Sequence, residues 1–168
     1  MCGVYAIVNA LELVGVAGRQ SPIHKALFSQ LNYGLGAVAL LTGMHEGLEP
    51  DELLRAANVA FHWLANEHGI ELSLSRPFEK TRFKSVKAYV QALHELTECP
   101  TTAAIIAFQM PNMSHWSVVK EVGDDLICLR DSGRMAHLRV ADFNLKRGPN
   151  SFTTADTLVV TLRAEPQW

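Results

Sequence analysis

Three residues of this chain have the side-chain types that nucleophilic catalysis requires: Cys2, His115 and Asp131. Cys2 stands just before a stretch, Gly3 to Gly15, in which Val4, Ile7, Val8 and Leu11 recur at helical spacing, so its thiol lies at a helix start. Unpaired backbone N–H groups and the positive end of the helix dipole favour a thiolate there. A cationic histidine nearby brings a cysteine pKa from ~8.5 into the range of roughly 3.5–7.5. Gly3 is expected to let a substrate backbone approach without a Cβ in the way. Taken alone, Cys2 is equally well a small residue at a chain end, so its weight depends on a partner.

His115 follows the turn-forming run Met110-Pro111-Asn112-Met113-Ser114 and opens a strand reading HWSVVKEV. Asp131 ends the strand Leu126–Arg130 at an Asp-Ser-Gly turn, a motif that needs no catalytic reason to exist. The Gly123-Asp124 step joins the two strands as a hairpin, which sets the Cα atoms of His115 and Asp131 roughly opposite each other across the ladder. Asp131 is then able to accept one imidazole N–H and fix the tautomer, with the other ring nitrogen facing a thiol. The remaining histidines, His24, His45, His62, His68, His94 and His137, read as surface or satisfied core residues, and Trp116 as core, with the wall of a cleft as its alternative.

The elements that must position these groups fall into two halves. Helices are expected from Cys2 or Gly3 to Gly15, from Ser21-Pro22 to about Leu31, from Pro50 to His68, and from Ser85 to Cys99-Pro100. Asn32 to Gly36 is expected to interrupt the second, and residues 37–44 fit either helix or turn. Strands are expected at 70–75, 101–110, 115–122, 125–130, 135–140 and 157–163, and links this short force antiparallel pairing. The fold class is α+β, an N-terminal helical half packed on a C-terminal antiparallel sheet, as a single domain over residues 1–168.

Composition narrows the function classes. The 168 residues are 48% hydrophobic and carry a formal net charge of −2, so nothing pulls the whole chain toward a phosphate backbone or an anionic membrane. No apolar stretch approaches the ~20 residues of a membrane span. Residues 1–18 lack a charged n-region and are interrupted by Glu12, so a cytoplasmic location is expected. Cys2, Cys99 and Cys128 are scattered without a CxxC, which leaves at least one thiol free and suggests neither a disulfide framework nor a zinc site. No cofactor is called for. His94, Glu95, Glu98 and Cys99 read as a solvated helix end, and Lys80, Arg82, Lys84 and Lys87 as a solvated loop.

With those residues in place, CGVYAIVNAL and SHWSVVKEVGDDLICLRDSG together resemble the papain-like cysteine peptidases, most closely the double-glycine-leader peptidases that cut bacteriocin precursors. The resemblance runs from end to end in helix-then-sheet order and implies a papain-like fold. It makes Cys2 the nucleophile, His115 the general base and acid, and Asp131 its orienting partner. Ser114 stands where the family has Gly, and Ser132 where it has Pro. The family's oxyanion glutamine, about six residues before the cysteine, falls upstream of Met1. Either a longer chain supplies it, another residue such as Gln109 substitutes, or the domain binds peptides without cutting them.

The resemblance thus implies a hydrolase acting on a peptide or other small acyl substrate through a thioester, with acyl transfer as the alternative use of the same three residues. Specificity is expected in loops 43–49, 76–84 and 144–155. Met-Cys-Gly also opens glutamine amidotransferases of the N-terminal-nucleophile kind, but the Asn-Gly and His-Thr-Arg stretches of that family are missing, and helices precede the strands.

Overall fold

The computed structural model describes residues 2–16, 18, 21–45 and 47–163; Met1, Ala17, Arg19, Gln20, Glu46, residues 164–168 and the side chains of Leu40, Thr42, Met44 and His45 lie outside the described residues. Among the described residues there are four α-helices: α1 (Cys2–Leu13), α2 (Pro22–His45), α3 (Pro50–His68) and α4 (Val86–Thr97). Seven strands form one sheet with antiparallel pairing: β1 (Leu72–Ser75), β2 (Thr102–Met110), β3 (Met113–Val122), β4 (Leu126–Arg130), β5 (His137–Arg139), β6 (Ser151–Phe152) and β7 (Leu158–Leu162). Their order across the sheet is β1-β7-β2-β3-β4-β5, with β6 also on β2. The class is α+β, and no described helix is long and apolar enough to cross a membrane.

The sheet is buried on both faces, which explains the unbroken apolar run of β2. Ala103, Ile105 and Ala107 enter a core shared with α1, α2 and α3, while Ala104, Ile106 and Phe108 enter a second core with Tyr89, Val90 and Leu93 of α4. Local signals set the helix ends. The Ser85 side chain accepts from the Ala88 N–H at 3.1 Å, Pro50 occupies the first turn of α3, and Gly69 ends α3 in the left-handed region.

Three local expectations are corrected. The first helical segment of α2 does not stop near Leu31 but runs on to Leu35; the expected interruption falls at Gly36 (φ 74°, ψ 165°), and a second helical segment follows to His45. Gly34 is helical because α2 crosses α3 there at close range: a Cβ on Gly34 would lie 2.9 Å from the Ala56 Cα. Strand β3 starts at Met113, pairing with Met110, so the connection is only Pro111-Asn112 and His115 lies inside the strand instead of opening it. The expected strand 135–140 shortens to His137–Arg139 because residues Val140–Asp142 turn into a 3-10 segment, and the two-residue β6 carried no readable pattern.

Candidate active site

Cys2, the first residue of α1, is half-buried, and its thiol lies near enough to the His115 imidazole and the Trp116 backbone for both to act on its charge. His115 is 7% exposed and lies on β3, where its ring meets the edge of Phe108 at a centroid distance of 5.4 Å. Its Nε2 is 2.5 Å from Oδ1 of Asp131, so that nitrogen donates to the carboxylate and Nδ1 is the one left for the thiol. The Asp131 side chain is itself almost wholly buried. Its second oxygen accepts from the backbone N–H of Gly133 at 2.6 Å and of Met135 at 3.3 Å. The structure therefore brings all three expected residues into one chain of contacts.

Their placement differs from the expected one in one respect. Ladder pairs Val118↔Arg130 and Val119↔Leu129 set Asp131 one step further on, opposite Ser117, so Asp131 is a diagonal neighbour of His115 on the same face of the sheet. A bulge between Val119 and Glu121, which leaves Lys120 outside the ladder, brings Asp131 to this place from one opposite Val118.

Electrostatics follow from this geometry. Burial pushes the Cys2 thiol up, but the hydrogen bond from His115, the Trp116 backbone and the charge of His115 outweigh it and hold the pKa below the ordinary value. Burial pushes His115 down, and its hydrogen bonds to Cys2 and Asp131 and their negative charges more than reverse this. Asp131 is likewise raised by burial and brought below the usual carboxylate range by the hydrogen bond and charge of His115, with the buried Ser117 hydroxyl and the Met135 N–H adding to it. All three shifts favour one charge state: thiolate, imidazolium, carboxylate.

Other expected roles change. Gly3 does not clear space for a substrate. A Cβ there would come within 2.6 Å of the buried Leu53 side chain, so Gly3 lets α1 approach α3. Trp116 is a core residue, as expected, and its Nε1 donates to the Leu48 carbonyl at 2.9 Å. Gln109 pairs with Ser114 and lines a cavity of about 130 Å³ that also borders His115 and Trp116. That cavity shares Glu49, Gln109, Ser114 and Thr153 with a larger one of about 540 Å³ reaching Leu145 and Arg147. Loops 43–49 and 144–155 thus supply lining residues to the cavities beside His115, and loop 76–84 supplies none.

Asn9, Glu12 and Arg130 stand outside the expected constellation yet link its two halves. The Asn9 amide donates to the Arg130 carbonyl at 3.3 Å, and the Arg130 guanidinium hydrogen-bonds and ion-pairs with the buried Glu12 carboxylate. Two polar residues three apart on an otherwise apolar helix were the available signal. Among the described residues no group of His, Cys, Asp and Glu is arranged to hold a metal ion.

No protein-family model and no curated protein matches this chain. Its chemistry is read from its own geometry.

Proposed function

We propose that the protein is a papain-like cysteine hydrolase that acts on a peptide or other acyl substrate through a thioester on Cys2. One observation carries the reading: the His115 ring has both a thiol and a carboxylate beside it, with Nε2 committed to Asp131 at 2.5 Å and Cys2 near enough for each to shift the other's charge. A histidine held only for packing has no need of both partners, whereas a nucleophile and its oriented base need this arrangement.

The residues divide the work as follows. The Cys2 thiolate attacks the acyl carbon, and the electron pair of the C=O bond moves to oxygen. The His115 imidazolium then gives its proton to the leaving amine, and the C–N bond breaks to leave a thioester on Cys2. Neutral His115 next takes a proton from water as it attacks the thioester, and the carboxylate product leaves as the Cys2 thiolate returns. Asp131 keeps the ring in one tautomer and orientation throughout. The backbone N–H groups of the first turn of α1 have no intrahelical acceptors and supply donors for the developing oxyanion. The two cavities that share Glu49, Gln109, Ser114 and Thr153 lie beside His115 and leave room for a substrate chain there. An amine in place of water gives acyl transfer by the same steps.

The test is incubation with a peptide aldehyde and with a peptide vinyl sulfone, with adducts mapped by mass spectrometry. An adduct on Cys2 that is lost in His115→Ala is the expected result. Labelling of Cys99 and Cys128 at the same rate as Cys2 would remove the basis of the reading.

A further inference from the structure

The site is assembled from two bodies, a helix that carries the thiol and a sheet that carries the imidazole and the carboxylate, so something must set one against the other. Apolar packing of Val4, Ile7, Val8 and Leu11 holds α1 on the sheet, but such contacts are non-directional and tolerate sliding and rotation. Hydrogen bonds do not. Asn9 is 7% exposed, and its amide donates to the Arg130 carbonyl, the last backbone acceptor of β4. Glu12, three residues on, ion-pairs with the Arg130 side chain from a position that is itself buried, and His24 of α2 approaches the same carboxylate at 3.4 Å.

The spacing on the helix gives these contacts their meaning. Cys2 and Asn9 are seven residues apart, close to two turns, so the face of α1 that presents the thiol to His115 is also the face that presents the amide to Arg130. Asp131 follows Arg130 directly. A closed ring results: Cys2 to Asn9 along the helix, Asn9 to the Arg130 backbone, one peptide bond to Asp131, Asp131 to His115, and His115 back to Cys2. We infer that Asn9, with Glu12 and Arg130, is the positioning clasp of the site: it fixes the rotation and axial position of α1 and thereby where Cys2 stands before His115. This rests on the reading of Cys2, His115 and Asp131 as the reactive constellation. The clasp touches no substrate and acts through Cys2.

The experiment compares the full chain with three variants: Asn9→Ala, the double variant Glu12→Gln/Arg130→Met, and Val8→Ala as a control that loosens the same helix through its apolar side. The double variant removes both charges of the ion pair together, so no single buried charge is left behind. Each is alkylated with iodoacetamide across pH 5–10, and the Cys2 adduct is quantified by mass spectrometry, with thermal unfolding recorded alongside. The parent midpoint is expected below the ordinary thiol range. The two clasp variants are expected to shift it up by about one unit, a tenfold loss of thiolate at a given pH below the midpoint. Val8→Ala is expected to lower thermal stability with the midpoint unmoved. Clasp variants that keep the parent midpoint, or a Val8→Ala shift of the same size, overturn the clasp and leave the site reading intact. An ordinary midpoint in the parent overturns both.

Discussion

Asp131 meets His115 across a ladder whose bulge absorbs the one residue by which β3 exceeds β4 between the hairpin and the site. Near the turn the register is Glu121↔Cys128 and Val122↔Ile127; past the bulge it is Val119↔Leu129 and Val118↔Arg130. Carried on without the bulge, the first register would set Asp131 opposite Val118, whose side chain points to the other face of the sheet. The bulge at Lys120 therefore takes up the surplus residue of β3, and the register beyond it keeps Asp131 on the face of His115.

Deletion of Lys120 tests this. With the extra residue gone, Glu121 stays on Cys128 and Val119 on Leu129 in an unbroken ladder, so Asp131 stays opposite Ser117 and beside His115. Retained circular dichroism, a His115 titration still above the ordinary imidazole value, and an unchanged Cys2 alkylation profile are the expected results. A His115 titration that falls to the ordinary value in a folded variant would show that the local twist of the bulge, and not the register, aligns the pair.

Asp131→Asn separates shape from charge. Both carboxylate oxygens of Asp131 accept hydrogen bonds, one from His115 and the other from the N–H groups of Gly133 and Met135. An amide has one acceptor end, so either the turn or the imidazole meets an NH₂ group. The variant is expected to lose about 1–3 kcal/mol of stability, the cost of leaving a buried polar group unsatisfied. Its Cys2 thiol is expected to titrate higher, since His115 loses support for its charged form. Equilibrium denaturation and the alkylation profile measure the two effects.

Much of this was legible beforehand. Cys2 at a helix start, the short links that force antiparallel pairing, and Asp131 at the far end of a hairpin from His115 all follow from local spacing, because hairpin turns and helix ends are written in a few adjacent residues. The bulge was not, since no residue type marks Lys120 as unpaired. The course of α2 through Asn32, Tyr33 and Gly34 was missed for the opposite reason: glycine reads as a breaker, yet contact with Ala56 decided its conformation. The bond from Asn9 to Arg130 spans 121 positions in sequence, so periodicity is blind to it.

Gly34→Ala is expected to destabilise the fold although alanine is the better helix former. The added methyl meets the Ala56 Cα at 2.9 Å and the Val59 Cβ at 3.1 Å, and backbone has little room to yield. Overpacking of this kind costs about 1–3 kcal/mol, against a propensity gain of roughly 1 kcal/mol. A lowered thermal midpoint with the Cys2 alkylation profile unchanged is the expected outcome, because the α2–α3 crossing does not touch the site.

The pH dependence follows from the signs of three shifts. Cys2 titrates below the ordinary thiol value and His115 above the ordinary imidazole value, so the two shifts bring the thiolate and the imidazolium toward a common pH range. Turnover needs both, the first to attack and the second to protonate the leaving group, and kcat/KM should be bell-shaped across that range. Alkylation of Cys2 needs only the thiolate and should rise to a plateau without an alkaline fall. In His115→Ala the hydrogen bond and the charge that lower the thiol are gone while burial remains, so the alkylation midpoint should move to the ordinary thiol value or above it. Stability at the acid end has its own sign. Asp131 is depressed in the fold, so its contribution is present above the unfolded carboxylate value of ~3.9 and is lost as pH falls through the folded one. Asp131→Ala should therefore narrow the stability difference from the parent as pH is lowered below about 4, and a difference that stays constant from pH 7 to pH 2 would mean the carboxylate charge contributes nothing to the fold.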